Sequence, residues 1–214
     1  TIIQAMSRGH REIEIKLRVA DAASGRRLLR RCGFAVRRPR VFESNIVFDT
    51  EDLSLRRRGC LLRLRRAGQE TTLTFKRPAA ASRHKSRMEV ECAVADFAAA
   101  AGIFRQIGFR PVFYYEKYRT EYAPPSGNGV ATLDVTPIGD YIELEGAPSW
   151  IDRIARRLGF SERDYITATY AALFFAQRRE SASACSQMRF KKGSKLSRAS
   201  VLELIWSKFC NARE

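Results

Sequence analysis

The sequence predicts an α+β fold: an eight-stranded antiparallel β-barrel, closed into a tunnel, with helices flanking it. Eight short segments show the alternation of apolar and polar residues that is typical of strands. In most of them the charged residues share one parity, so they lie on one face of the strand. A charged face cannot be buried against helices without a large cost in free energy. In a closed barrel, however, it can line a solvent-filled lumen while the apolar face packs on the helices.

Neighbouring strand segments are joined by short connections, such as residues 67–70 and 126–129, which favour antiparallel pairing. In chain order, the predicted strands are residues 12–18, 41–48, 60–66, 71–76, 87–93, 113–122, 130–135 and 140–145.

Three predicted helices flank these strands, and each ends just before a Gly-Phe pair. Glycine provides the left-handed conformation after the last turn, and the phenylalanine can fold back onto the helix. Their predicted N-caps are Asp21 for a helix through residue 31, Asp96 for one through residue 107, and Ser149 for one through residue 158.

The chain divides into one domain, residues 8–178, and a basic C-terminal extension, residues 179–214. Residues 181–184 and 191–195 resemble linkers, and residues 197–212 have the pattern of a short amphipathic helix. The extension is therefore expected to lie outside the domain.

Composition narrows the possible classes of function. The net charge of +16 predicts non-specific affinity for nucleic acid or polyphosphate through the basic surface. No apolar run reaches the length of a membrane span, and the five cysteines are scattered, which argues against a disulfide framework or a zinc site. We expect a cytoplasmic protein without membrane contact; its oligomeric state is not predicted.

The shared parity of the charges has two interpretations. Each strand alone could simply have a half-exposed outer face with cross-strand charge pairs. Taken together, the strands predict a surface of fixed acids and bases that suits a polyanion and its metal ions. Carboxylates are hard oxygen ligands for Mg²⁺ or Mn²⁺, and arginine and lysine bind phosphate oxygens. A P-loop motif is absent from the sequence, so side chains would have to bind the phosphates.

The ordered series of charged motifs resembles the CYTH superfamily, the triphosphate tunnel metalloenzymes. Glu12-x-Glu14-x-Lys16 is similar to the E-x-E-x-K signature of that family, and the resemblance covers about residues 10–177. The other matching motifs are Asn45 to Thr50, Gly59 with Leu62-Arg63-Leu64-Arg65, Leu73 to Lys76, Arg87-x-Glu89-x-Glu91, Lys117-x-Arg119, Asp134 and Glu143-x-Glu145.

The resemblance implies a tunnel that binds a triphosphate together with Mg²⁺ or Mn²⁺. The implied metal ligands are Glu12, Glu14, Asp134, Glu143 and Glu145, with Glu89 and Glu91 for a second metal. The implied triphosphate-binding residues are Lys16, Arg63, Arg65, Lys76, Arg87, Lys117 and Arg119. Glu12, Glu14 and Lys16 are the candidate catalytic residues, and no single general base is assigned.

Two further expectations concern residues near the tunnel. Residues 165–177 resemble the C-terminal helix beside the family's tunnel; Tyr165 or Tyr170 could reach its mouth, although core packing is favoured for both. His84 lies in the basic run 83–86 and is expected to be an exposed loop residue.

Three functions remain open from the sequence. The first is a metal-dependent hydrolase of tripolyphosphate, thiamine triphosphate or a nucleoside triphosphate. The second is an adenylyl cyclase that converts ATP to cyclic AMP and pyrophosphate. The third is a polyphosphate-binding module without turnover, which the many carboxylates disfavour because a pure anion binder gains nothing from them.

Overall fold

The barrel predicted from the sequence is present. The structure is a computed structural model that describes residues 9–78, 82–178 and 186–191. Eight antiparallel strands follow the order β2-β3-β4-β5-β1-β8-β7-β6, and pairing of β2 with β6 closes the sheet. The strands are β1 (His10–Val19), β2 (Ala35–Asp49), β3 (Leu61–Ala67), β4 (Glu70–Lys76), β5 (Lys85–Ala93), β6 (Arg110–Ala123), β7 (Val130–Thr136) and β8 (Gly139–Glu145).

β2 and β6 extend further than the sequence indicated. The predicted strand began at residue 41, whereas β2 also includes residues 35–40. Ala35, Val36 and Arg38 pair with β6, and register shifts on both sides of Arg38 accommodate Pro39, which has no amide hydrogen to donate.

The helices are α1 (Ala22–Arg31), α2 (Ser54–Arg57), α3 (Phe97–Gln106), α4 (Pro148–Arg157) and α5 (Tyr170–Arg178), with a short 3₁₀ helix at Glu162–Asp164. Two predicted caps are confirmed: the Asp21 carboxylate accepts the Ser24 amide at 2.6 Å and that of Asp96 accepts the Ala99 amide at 3.0 Å. After α1, Gly33 has a φ of 81°, in the left-handed region.

The predicted N-cap of the third helix was wrong. The N-cap is Ala147, two residues earlier, and the helix begins at Pro148. Proline has a fixed φ that suits the first helical turn, where its missing N–H would have no intrahelical acceptor, so it displaces Ser149 into the helix.

The apolar side chains lie mainly outside the barrel, under the helices. One cluster joins α1 and α4 to β1, β7 and β8, and it includes Leu29, Ile142 and Ile154. A second joins α3 to β2, β3 and β6 around Phe48 and Phe97. This arrangement leaves the lumen to the charged side chains.

Part of the predicted extension contacts the barrel. Ser186–Met188 form a ninth strand, β9, that pairs in parallel with β6. The predicted linker 181–184 and the predicted helix 197–212 lie outside the described residues. None of the described helices combines the length and the apolar composition that a membrane span requires.

Candidate active site in the tunnel

The barrel brings the predicted site residues together in its lumen. All of them except Asp134 line one cavity of about 150 Å³. Strand register places opposite charges side by side: Lys16 lies opposite Glu143, Lys76 opposite Glu89, and Glu12 opposite Arg87. The parity seen in the sequence therefore becomes a network of alternating acids and bases.

Lys16 lies between two carboxylates at the centre of this network. Its ammonium nitrogen is 3.3 Å from Glu14 and 3.3 Å from Glu143. Burial opposes the charged form, but the two carboxylates outweigh it and raise the pKa of Lys16 above its ordinary value. Lys16 is thus a permanent cation in the tunnel wall.

Lys76, on β4, contacts carboxylates of the two neighbouring strands β1 and β5. Its Nζ contacts the Glu12 carboxylate at 2.6 Å and that of Glu89 at 2.8 Å. Burial and the nearby Glu12 carboxylate raise the pKa of Glu89 to about 7, although Lys76 acts in the opposite direction. Glu89 is therefore one of the carboxylates whose charge a further cation would stabilise.

Arg63 and Arg65 contribute guanidinium groups from β3. Arg63 donates to the Thr74 hydroxyl at 3.1 Å and to the Tyr115 hydroxyl at 3.3 Å. Both arginines also approach the Glu91 carboxylate, at 3.5 and 3.8 Å. The buried Nε atoms of Arg63 and Arg87 have no hydrogen-bond acceptor within the described part of the chain. These two donors can therefore serve a ligand in the lumen.

Asp134 lies beneath side chains that line the tunnel. Its carboxylate is fully buried and accepts hydrogen bonds from Lys117 at 2.8 Å, from Arg119 at 2.6 Å and from the Tyr170 hydroxyl at 2.9 Å. Arg119 also pairs with Glu143. In this arrangement Asp134 anchors the two bases of β6, and its predicted role as a metal ligand stays a prediction.

The carboxylates near the end of β8 are candidate ligands for a divalent cation. Glu145 lies opposite Glu14 in the register between β1 and β8. Loss of water around its carboxylate, together with the charges of Glu12 and Glu14, raises the pKa of Glu145 to about 7. A cation bound among these three carboxylates would relieve their repulsion, and oxygen ligands are those that Mg²⁺ prefers.

This site is not preformed. Across residues 9–78, 82–178 and 186–191, no three His, Cys, Asp or Glu side chains are arranged as a metal centre. The bases hold the carboxylates instead: Lys76 contacts Glu12, and Lys16 and Lys85 contact Glu14. A bound cation would have to replace the lysine ammonium groups as the partner of these carboxylates. The released ammonium groups could then contact a bound anion.

Several residues at the tunnel were not predicted as site residues, among them Lys85, Glu43 and Tyr115. Lys85 contacts Glu14, and burial with the nearby Lys16 lowers the pKa of Lys85 to about 8. Glu43 lies opposite Lys117, and Tyr115 lines the cavity beside Arg63. A signal existed for Lys85, because it has the same parity as Arg87, Glu89 and Glu91 on β5.

The structure corrects the expectation for His84. The side chain is buried, and its Nε2 lies 2.7 Å from the Asp152 carboxylate on α4. The Tyr165 hydroxyl donates to the same carboxylate oxygen at 3.0 Å. This pairing could not be predicted from local sequence, because His84 and Asp152 are 68 positions apart.

The expectation of a helix from residue 165 was also wrong at its start. Ile166 and Lys16 exchange two backbone hydrogen bonds of 2.9 Å, which keeps residue 166 extended. The helix begins only at Tyr170, after the Thr169 hydroxyl accepts the Ala172 amide at 3.1 Å. Tyr170 is buried, as the core interpretation predicted, and it also lines the tunnel.

A second, mainly apolar cavity of about 420 Å³ adjoins the tunnel. The two cavities share Leu61, Arg87 and Thr169 as lining residues. The floor of the second cavity includes Phe113 and Phe175. Its volume lies within the usual range for small-molecule sites of roughly 300–1,000 Å³.

A family model, the CYTH domain, matches residues 10–170, the part of the chain that forms the closed barrel and its charged lumen. The chain belongs to the CYTH domain family. CYTH triphosphate tunnel enzymes are generally metal-dependent and bind triphosphate substrates, in agreement with the carboxylates and bases of the lumen.

Several CYTH relatives are similar over nearly their whole length. A "putative adenylate cyclase" of Methanocaldococcus jannaschii is 27% identical over 172 residues, which cover 76% of this chain and 97% of the relative. A solved structure from Pyrococcus horikoshii has a TM-score of 0.65 at 25% identity, with 76% and 98% of the two chains covered. A plant structure, from Hippeastrum, has a TM-score of 0.59 at 19% identity, with coverages of 78% and 96%.

Proposed function

We propose that this CYTH protein is a metal-dependent triphosphatase that binds the triphosphate of its substrate inside the tunnel. The observation that supports the proposal most strongly is that two buried guanidinium atoms, Nε of Arg63 and Nε of Arg87, have no hydrogen-bond acceptor among the described residues. The Arg87 Nε forms an ion pair with the Glu12 carboxylate, but at 3.7 Å, beyond hydrogen-bond distance. A buried donor without an acceptor is costly, and phosphate oxygens in the lumen would supply two.

The bases of the lumen provide the rest of the phosphate site. In this proposal Lys16, Lys76 and Lys117 turn from their carboxylate partners toward phosphate oxygens, and Arg65 and Arg119, which also line the cavity, bind further phosphate oxygens. Phosphoryl transfer depends mainly on positioning and on neutralising charge, and this lumen offers both.

The carboxylates are assigned to the cation. Mg²⁺ or Mn²⁺ bound by Glu12, Glu14 and Glu145 would supply charge neutralisation and lower the pKa of a bound water. Glu143 positions Lys16 and Arg119 beside this site and completes it. In this proposal Glu89 and Glu91 hold a second cation, since Glu89 already carries a raised pKa.

The adjoining apolar cavity favours a triphosphate ester over inorganic tripolyphosphate. It shares Arg87 with the tunnel, so a triphosphate held there would place an attached organic group against Phe113 and Phe175. Thiamine triphosphate and nucleoside triphosphates both carry such a group.

An adenylyl cyclase is the second candidate. The M. jannaschii relative carries an adenylate cyclase name, and the Hippeastrum protein is described as an adenylyl cyclase with a dominant triphosphatase activity. A cyclase has to fix the ribose against the α-phosphorus, and the apolar cavity could hold its base. The same cavity therefore serves either activity, and the products must decide.

The test is to incubate the full chain with Mg²⁺ or Mn²⁺ and, separately, with ATP, tripolyphosphate and thiamine triphosphate. Orthophosphate release supports the triphosphatase, whereas cyclic AMP with pyrophosphate from ATP identifies a cyclase. Binding without any product would replace both proposals with a non-catalytic binding module.

A further inference from the structure

The segment Ser186–Lys191 lies beyond the CYTH match, yet it is docked on the wall of the tunnel. β9 pairs in parallel with the first half of β6, placing Ser186 opposite Phe113 and Met188 opposite Tyr115. The short strand β7 pairs with β6 only from Tyr118 onward. The segment therefore occupies a stretch of β6 that β7 leaves open.

A buried carboxylate fixes the segment in place. Glu116 is only 3% exposed, and its Oε2 accepts the Phe190 amide at 3.1 Å. The same carboxylate accepts the Tyr114 hydroxyl at 2.9 Å through Oε1. A buried carboxylate is stable only with such partners, so the backbone of the segment forms part of its environment.

Arg189 and Phe190, in the segment, also contact aromatic rings of β6. The Arg189 guanidinium lies over the Tyr114 ring, 4.5 Å from its centroid. The Phe190 ring lies 5.6 Å from that of Tyr118. The segment is thus held through its backbone and two side chains.

Met188 connects the segment to the lumen. Its side chain is fully buried, in one cluster with Tyr115 and Tyr170. The Tyr115 hydroxyl accepts a hydrogen bond from Arg63, and the Tyr170 hydroxyl donates one to Asp134. Each tyrosine therefore has a ring in the cluster of Met188 and a hydroxyl on a charged group of the active site.

We propose that Ser186–Lys191 is a positioning segment of the active site, in which Met188 holds the rings of Tyr115 and Tyr170 and thereby fixes Arg63. The proposal rests on the proposed triphosphate binding for its functional readout. It also implies that part of the extension, which the sequence placed outside the domain, supports the tunnel.

The experiment compares the wild-type full chain with Met188→Ala, using Phe190→Ala as a second variant that loosens the segment. Met188→Leu is the conservative rescue, because it restores a side chain of similar volume. Met88→Ala is the matched control, since Met88 is a partly buried methionine on β5 outside the lumen. KM, kcat and the Kd for tripolyphosphate with Mg²⁺ are measured well below the melting temperature of each variant.

Met188→Ala is expected to raise KM and Kd at least about fivefold, since loss of one well-oriented contact to a charged group corresponds to about 1 kcal/mol or more. Met188→Leu should restore both values, and Met88→Ala should leave them unchanged. A lower melting temperature with unchanged KM and Kd would show a purely structural role and overturn the proposal.

A ligand-independent readout separates this proposal from the proposed function. If even the wild-type chain neither binds nor hydrolyses triphosphates, the proposed function fails. Amide hydrogen exchange in the peptide that contains Arg63, on β3, then decides the positioning role. Faster exchange in Met188→Ala but not in Met88→Ala supports it, and equal exchange overturns it.

Discussion

Replacing Arg63 by alanine should weaken triphosphate binding far more than it destabilises the fold. In the proposed site, the guanidinium contributes its free Nε and a second N–H to phosphate oxygens. Hydrogen bonds to charged groups contribute about 1.5–3 kcal/mol. At 1.4 kcal/mol per factor of ten, the Kd should rise about 10- to 150-fold.

The expected cost to folding is smaller because the partners of Arg63 remain satisfied. The Thr74 hydroxyl still donates to Glu91 at 2.6 Å, and the Tyr115 hydroxyl faces a lumen that water can enter. The Glu91 side chain is 32% exposed, so its ion pair with Arg63 contributes at most about 1 kcal/mol. A loss of this size lowers the melting temperature by about 2–4 °C for a domain of this length.

Arg66→Ala is the matched control, since Arg66 lies on the same strand with the opposite parity and does not line the tunnel. Calorimetric titration with tripolyphosphate and Mg²⁺ gives the Kd, and thermal unfolding without ligand gives the stability. The reasoning is refuted if Arg63→Ala loses as much unfolding free energy as binding free energy. Equal loss of affinity in Arg66→Ala would refute it too.

Three further predictions concern the carboxylates of β8, two glycines, and the buried pair of His84 and Asp152. The Glu143→Gln, Glu145→Gln double variant should lose Mg²⁺-dependent turnover while its circular dichroism stays that of the wild type; full activity would remove the metal assignment. Gly129→Ala should lower the free energy of unfolding by about 1–3 kcal/mol, because the new Cβ would lie 2.5 Å from the indole ring of Trp150. Gly102→Ala, in α3, should raise it by about 0.5–1 kcal/mol, because the new Cβ meets no atom within 4 Å and alanine favours a helix. Denaturant titration measures both changes. Asp152→Asn should lower the melting temperature at neutral pH. The difference in melting temperature should shrink as the pH falls through and below 3.8. The pKa of the Asp152 carboxyl is depressed in the folded state, so its stabilising contribution disappears when it is protonated. A difference that does not change with pH would contradict this.

The strand pattern and the charged lumen could be predicted from the sequence because each depends on local periodicity. Alternation of Glu12, Glu14 and Lys16 with apolar residues fixes which face of β1 is charged, whatever the neighbouring strand. The caps at Asp21 and Asp96 depend on residues only three positions away, and both were predicted correctly.

Predictions failed where a contact between distant segments overrides the local pattern. His84 has the sequence context of an exposed loop, but the fold supplies Asp152 from α4, and the pair becomes buried. Residue 166 continues a helical pattern, but its backbone pairs with Lys16 on β1. Neither partner can be read from the neighbouring residues.

The sequence by itself determined that this chain forms a barrel with acids and bases on one face of each strand, because side-chain direction in a strand alternates residue by residue. Only the tertiary structure decided which charges meet. Lys76 reaches Glu12 across 64 positions, and the Phe190 amide reaches Glu116 across 74. Such pairs depend on strand register and on how the barrel closes, and these are set by packing across the whole domain.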